Sequence, residues 1–294
     1  MPKVSICIPT YNRKEYLKET LETVFAQTYK DYEVVIVDDG STDGTDEMIA
    51  SMSEDIRYFK QENAGDAAAR NTLIKMAAGK YITFIDSDDL LYPDTVERLI
   101  DSVESYDGQA CGYGGYIRID ENGKELPTKQ KKLPSGVITI PLFEQILVHS
   151  CGSIFPRQAL VDKDGFNSAL RVCSDYQNWL ELSTKYTFVA QDEPTFKRRR
   201  HGNNLSVLSF ENLLTEHNVL EDFYYNNGGK DCVPENIAMP RLAKESYRVA
   251  MAAKKEDKGL DIVNQYLSQA VKRKFTLKTG IKLFALKLQM IVSG

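Results

Sequence analysis

The chain has 294 residues, 42% of them hydrophobic and 27% charged, with a formal net charge of −5. This composition excludes a disordered or fibrous protein, and the length holds either one large domain or one of about 200 residues with an appendage. The acidic balance argues against nucleic acid as a partner, and five scattered cysteines without a C-x-x-C pair argue against a zinc or dithiol site.

Met1 leads directly into a strand-like run with no basic stretch or cleavage site. No apolar run reaches the roughly 20 residues that cross a bilayer, so a cytoplasmic protein is expected. Strands are predicted at 3–8 (KVSICI), 33–38 (EVVIVD), 56–61 (IRYFKQ) and 80–86 (KYITFID). Between the first two, Leu17, Leu21, Val24 and Phe25 recur at helical spacing, and Asn12 with Glu15 has the form of a capping box. Pro93 marks the start of another helix, with Val96, Leu99, Ile100 and Val103 as its apolar face. Strand–helix alternation of this kind predicts a parallel sheet flanked by helices.

From about residue 108 the texture is Gly-rich and β-leaning, with a hairpin turn expected at Asn122-Gly123. A helix is predicted over 174–185, capped by Ser174, followed by strands in TFVAQ and TFKRRR. Gly112, Gly114 and Gly115 lack the strand-to-helix setting of a dinucleotide fingerprint. Beyond 205 the pattern is mostly helical. The expected division is a domain at 1–205, with halves 1–107 and 108–205, and a helical region at 206–294.

Ligands of open α/β sheets bind beyond the carboxyl ends of the strands. Here the first strand delivers Pro9, Thr10, Tyr11 and Asn12, the second Asp38, Asp39, Gly40 and Ser41, and the fourth Asp86, Ser87, Asp88 and Asp89. Asp86-Ser87-Asp88 sets two carboxylates on one side of an extended backbone, where a hard divalent cation can join them to phosphate oxygens. A metal with a diphosphate would also relieve the repulsion among three neighbouring acids.

The segments VSICIPTYN, VVIVDDGSTDGT, ENAGDAAARN and GKYITFIDSDD, in this order, resemble the nucleotide-sugar half of the family 2 glycosyltransferases. The resemblance runs over roughly residues 3 to 205. It implies a GT-A fold, an α/β architecture with a Rossmann-like, mostly parallel central sheet flanked by helices, here with a C-terminal helical extension. It also implies a UDP-sugar donor, Mn2+ or Mg2+, and transfer with inversion. The implied donor site comprises Pro9, Thr10, Tyr11, Asn12, Asp39, Arg70, Asp86 and Ser87. Within it Thr10 and Tyr11 meet the nucleoside, Asp39 reads the uracil edge, Arg70 lies by the base or diphosphate, and Asp86 lies near the ribose and sugar. Asp88 ligates the metal.

Asp175 matches the Asp of a Glu-Asp pair that precedes a helix in many members, with Trp179 a turn later, and is the expected catalytic base. Ser174 stands where Glu is commoner, and Leu73 near where Gly is frequent. RRRHGNNLS resembles the segment that closes over the diphosphate, making His201 a metal or phosphate contact; a solvated basic edge strand is the other reading. His149 and His217 are read as structural.

Residues 271–294 carry Lys272, Arg273, Lys274, Lys278, Lys282 and Lys287 beside an apolar stripe of Leu277, Ile281, Phe284, Leu288 and Ile291. Such a helix lies on the inner face of a membrane, on the catalytic domain or on another subunit, as in a homo-oligomer. The expected function is metal-dependent transfer of a hexose or N-acetylhexosamine from a UDP-sugar to a hydroxyl of a surface polysaccharide, glycolipid or glycoprotein glycan. The alternatives are a nucleotidyltransferase, whose phosphate loop is replaced here by PTYNRKE, and a non-catalytic nucleotide-sugar-binding subunit of a glycosylation complex. Retention of Asp39, Asp86, Asp88 and Asp175 counts against the latter.

Overall fold

The computed structural model describes residues 1–52, 54–202, 208–274, 280–283 and 285. Its elements are β1 (Val4–Thr10), α1 (Lys14–Phe25), β2 (Tyr32–Asp38), α2 (Thr45–Ala50), β3 (Ile56–Lys60), α3 (Asp66–Met76), β4 (Tyr81–Phe84), β5 (Leu90–Leu91), α4 (Thr95–Glu104), β6 (Ala110–Tyr113), β7 (Tyr116–Ile119), β8 (Glu125–Leu126) and α5 (Thr139–Glu144). There follow β9 (Ser153–Pro156), α6 (Arg157–Val161), α7 (Ser174–Leu182), β10 (Thr187–Ala190), β11 (Phe196–Arg199), α8 (Phe210–Asn226), α9 (Gly229–Cys232), α10 (Glu235–Lys255) and α11 (Leu260–Arg273).

The chain divides into two compact units, Met1–Ile138 with Ile146–Asn204, and Thr139–Gln145 with Leu205–Gly294. Helix α5 therefore belongs with the C-terminal helices.

In the first unit a seven-stranded sheet has the order β10-β6-β9-β4-β1-β2-β3, with β9 antiparallel to both of its neighbours and the other pairs parallel. All seven residues of β1 are buried, as a central strand covered on both faces requires. Its cover on one face includes Leu17, Leu21 and Val24 of α1 and Val96, Leu99, Ile100 and Val103 of α4, which share one core with Val4, Ile6 and Ile8. Because β1 lies between β2 and β4, the strand order reverses there, and the carboxyl ends of these parallel strands open on one edge. A second sheet, β5-β11-β7-β8, carries the expected hairpin, in which Gly123 (φ 82°) donates its N–H to Asp120 O at 3.1 Å.

Three local expectations are corrected. Strand β4 ends at Phe84 rather than at residue 86, because the Asp89 N–H turns back onto Asp86 O at 3.0 Å and takes the acidic segment out of the ladder. Asn12 does not cap α1; it sits at φ 49°, and its Oδ1 accepts the Thr42 N–H at 2.8 Å, so Arg13 is the cap residue. Ser174 is the first residue of α7, preceded by Cys173 at φ 64°.

In the second unit, Phe210, Leu213, Val249, Ala250, Ala253, Val263 and Leu267 pack α8, α10 and α11 together. Ser209 caps α8 by accepting the Asn212 N–H at 3.2 Å. Buried Glu245 and Arg241 pair with each other and with Glu216 and Arg248. His217 lies 3.0 Å from Ser246 Oγ and is buried, so its pKa falls to about 4, opposed by Asn218 and aided by Arg273. Most of the apolar stripe expected beyond residue 274 lies outside the described residues; Leu283 packs on this core and Ile281 is exposed. Among the described residues no helix is long and apolar enough to cross a membrane.

Candidate active site

The loops after β1 and β2 are laced to each other. The Asn12 N–H donates to Ser41 Oγ and the Thr42 N–H to Asn12 Oδ1, each at 2.8 Å, while the Asp39 N–H donates to Thr10 O at 2.9 Å. Tyr11 projects from this seam and is 49% exposed, while Pro9 and Thr10 are buried beneath it. Thr10 Oγ1 is a buried hydroxyl without a hydrogen-bond partner among the described residues, an atom on which a ligand group would be satisfied. Asp38 accepts from the Ser41 N–H (2.7 Å) and the Tyr58 hydroxyl (2.5 Å). Asp39 accepts from Gln61 Nε2 and from the N–H groups of Ala64 and Gly65, at 2.7, 2.9 and 2.8 Å. It thereby fixes the loop that leads into α3.

Helix α3 delivers Arg70 beneath the end of β4. Its Nε donates to Asp66 at 2.8 Å and its Nη2 to Asp86 at 2.6 Å, and the guanidinium lies 5.2 Å from the Phe84 ring and 5.9 Å from that of Phe166. Burial disfavours this cation, but Asp66 and Asp86 outweigh burial and raise its pKa, with Asp175 adding to them. Arg70 Nη1 is buried with no hydrogen-bond partner among the described residues.

Asp175 enters from the first turn of α7. Phe166 is hydrogen-bonded at both its N–H and its carbonyl to the Asn71 side chain (2.6 and 2.8 Å), and Asn178 Nδ2 donates to Gly165 O at 3.0 Å. The 165–166 segment thus ties α3 to α7 and sets Asp175 within the field of Arg70. Trp179 stacks on Phe155 at 3.9 Å and holds the helix in place. Burial raises the Asp175 carboxyl above its ordinary range; Arg70 and the Tyr176 N–H oppose this, and Asp66 and Asp86 reinforce it. A half-buried carboxylate with a raised pKa at a helix start suits a general base.

The acidic residues after β4 diverge. Asp86 is 43% exposed and paired with Arg70, Ser87 is buried, and Asp88 turns toward His201, with Oδ2 2.7 Å from His201 Nε2 and 3.8 Å from Arg13 Nε. Desolvation and Asp86 raise the Asp88 pKa, while His201 and Arg13 lower it. Asp89 is buried and accepts the Arg199 N–H at 2.8 Å; burial and its two acidic neighbours push its pKa well up. Asp89 thus braces β11 through the Arg199 N–H.

Four contributors were not visible as site residues in the sequence: Arg13, Tyr16, Asp66 and Arg199. Tyr16 stacks on His201 at 5.2 Å, and the guanidinium of the fully buried Arg199 lies 4.7 Å from the centroid of the Tyr16 ring. Arg199 also donates through Nε to Asp88 O (2.9 Å), Nη1 to Glu121 O (2.8 Å) and Nη2 to Glu19 (2.6 Å). The signal was present in the period of two along KRRR, which sends alternate side chains to opposite faces.

The model of the family described as Glycosyl transferase family 2 matches residues 5–166, more than half of the chain. The chain belongs to glycosyltransferase family 2. An uncharacterized glycosyltransferase of Rickettsia conorii is 36% identical over 224 residues, covering 74% of this chain and 37% of that protein. A chondroitin synthase of Escherichia coli is 32% identical over 217 residues, covering 70% and 30%. This family 2 chain therefore spans about a third of the length of these relatives.

The fold is that of GT-A glycosyltransferases. Staphylococcus aureus TarS 1–349 in complex with UDP-GlcNAc superposes with a TM-score of 0.69 at 17% identity, covering 91% of this chain and 81% of that one. The mannosyltransferase PcManGT of Pyrobaculum calidifontis, in complex with GDP-Man and Mn2+, gives 0.58 at 17% identity, covering 96% and 87%.

Proposed function

We propose that this glycosyltransferase moves a hexose or N-acetylhexosamine from a UDP-sugar to a hydroxyl of a surface polysaccharide, glycolipid or glycoprotein glycan, with inversion and with a divalent cation. The observation that carries the reading is the meeting of Arg70, Asp86 and Asp175 in one electrostatic field at the end of β4, where Asp88 of the same loop pairs with His201 from the end of β11. In this reading Tyr11, Thr10, Pro9, Asn12 and Asp39 line the nucleoside side, while Asp86, Ser87 and Arg70 face the ribose, sugar and diphosphate.

Among the described residues no three His, Cys, Asp or Glu side chains are grouped as a ready-made metal site. The carboxylate of Asp88 and the imidazole of His201 nevertheless fit Mn2+, with Mg2+ better served by oxygen alone, and the donor's phosphates would complete the set. The cation, when bound, neutralises charge developing on the departing diphosphate, so the leaving oxygen needs no proton.

Asp175 takes the proton of the acceptor hydroxyl as that oxygen bonds to the anomeric carbon and the bond to the diphosphate breaks. Attack from the side opposite the leaving group inverts the centre. The Arg70 cation keeps Asp175 ionisable despite its burial.

A thermal-shift panel of UDP-, GDP-, CMP- and dTDP-sugars, each with Mn2+ and with EDTA, tests this reading. Mn2+-dependent stabilisation by a UDP-sugar is expected. Stabilisation by none of them would refute it, and binding without turnover on any acceptor would favour the non-catalytic subunit.

A further inference from the structure

Strands β7 and β11 pair in parallel with Tyr116 opposite Phe196 and Arg118 opposite Arg198, and the ladder continues from the Arg200 N–H to Ile119 O at 2.9 Å. Matched positions of paired strands share a face. Tyr116, Arg118, Arg198 and Arg200 therefore line one side of the second sheet, opposite Arg199.

The guanidinium of Arg198 lies 5.6 Å from the Tyr116 ring and is hydrogen-bonded to that side chain. Arg118 donates to Pro127 O at 2.5 Å. Edge-on to Tyr116 at 5.0 Å stands His149, which burial, Arg198 and Arg200 together hold neutral, with a pKa of about 3. The charge of Asp86 acts on both Arg198 and His149, so the face lies near the loop after β4.

Three guanidiniums gathered on one face repel one another, and a planar fork suits an oxyanion. We propose that this face binds an anionic group of the acceptor, a phosphodiester or a carboxylate on the glycan chain that receives the sugar. This rests on the glycosyltransferase reading and adds the acceptor's charge to it. The donor's diphosphate is the rival source of the same chemistry, because Arg200 directly precedes His201, and the UDP arm of the test separates the two.

The test titrates the full chain with fluorescently labelled oligogalacturonate, labelled oligo(glycerol phosphate) and neutral maltohexaose, with and without UDP and Mn2+. The variant Arg118→Glu, at an exposed side chain, is compared with the wild type. At least one anionic oligomer is expected to bind, with UDP present as well as absent, and more tightly than maltohexaose. The variant is expected to lose at least about tenfold in that affinity while UDP affinity stays within about twofold.

The proposal is overturned if neither anion binds, if maltohexaose binds equally well, or if the variant binds like the wild type. Displacement of the oligomer by UDP, with UDP affinity falling in step in the variant, would reassign the face to the donor. Failure of the wild type to bind UDP would strike the donor reading instead and leave the oligomer result standing.

Discussion

Replacing Arg199 by Met tests whether one buried side chain holds the acidic loop in place. Met keeps most of the volume and removes the fork. The Glu19 carboxylate, half-exposed, rehydrates, so that pair accounts for about 1 kcal/mol or less. The carbonyls of Asp88 and Glu121 lose donors at 2.9 and 2.8 Å. Leaving the Asp88 carbonyl unsatisfied costs about 1–3 kcal/mol, the carbonyl of the exposed Glu121 rehydrates at little cost, and loss of the cation over Tyr16 adds about 0.5–1. With Met burial recovering part, the expected loss is about 3 kcal/mol. The Arg199 N–H bond to Asp89 survives the substitution, which limits the damage to the side-chain fork. Trp179, the one tryptophan of the chain, lies in the same unit and reports its unfolding in urea. At an m-value of about 2–3 kcal/mol per M the midpoint falls by about 1 M or more. A midpoint within about 0.3 M of the wild type would refute this account of Arg199, and Arg199→Lys should fall between the two.

The Asp175→Asn variant should bind UDP-sugar nearly as the wild type does but turn over at least about a hundredfold more slowly. Wild-type kcat should rise with pH through a carboxylate pKa above the ordinary aspartate range, and loss of neither rate nor limb in the variant would place the base elsewhere. Asp88→Ala should abolish the Mn2+ dependence of UDP binding in calorimetry, and undiminished affinity would remove Asp88 from the metal site. His217, with its folded pKa depressed to about 4, is neutral when folded but gains a proton when unfolded below about 6.5. The second unit should therefore lose stability as pH falls from about 6.5 to 4, by up to about 1.4 kcal/mol per unit, and an imidazole NMR signal titrating near 6.5 in the folded protein would contradict this. Gly165→Ala sets a Cβ 2.2 Å from Asn71 Oδ1 at φ +78° and should cost about 1–3 kcal/mol along with turnover, because the 165–166 segment ties Asp175 to Arg70; a wild-type urea midpoint would argue against that linkage.

The parallel strands and the polar chemistry at their ends were legible because buried central strands demand apolar runs and the chain must turn polar where the sheet stops. The α4 face was equally legible, as Val96, Leu99, Ile100 and Val103 all pack inward. Local capping signals misled, because Asn12 is drawn across to the loop after β2, a contact between residues 30 apart that no local pattern records. The basic run at 197–200 read as one feature, yet the pleat divides it. Arg199 goes inward to Tyr16 and Glu19, while Arg198 and Arg200 face Tyr116 and His149. Burial of an arginine depends on acceptors supplied by distant segments, and the Asp88 and Glu121 carbonyls that receive Arg199 are separated from it by 111 and 78 residues.

The repulsion among Asp86, Asp88 and Asp89 is resolved unequally, and the inequality argues for their separate roles. Asp86 is neutralised by a permanent cation in Arg70. Asp89 has a backbone N–H and a buried site that favours its protonated form. The Asp88 side chain has Arg13 at 3.8 Å, beyond hydrogen-bonding distance, and the His201 imidazole, itself a metal ligand by type, at 2.7 Å. Of the three, its carboxylate therefore has the most to gain from a dication. That is why we assign the metal contact to Asp88 and His201 and leave Asp86, already held by Arg70, to face the donor.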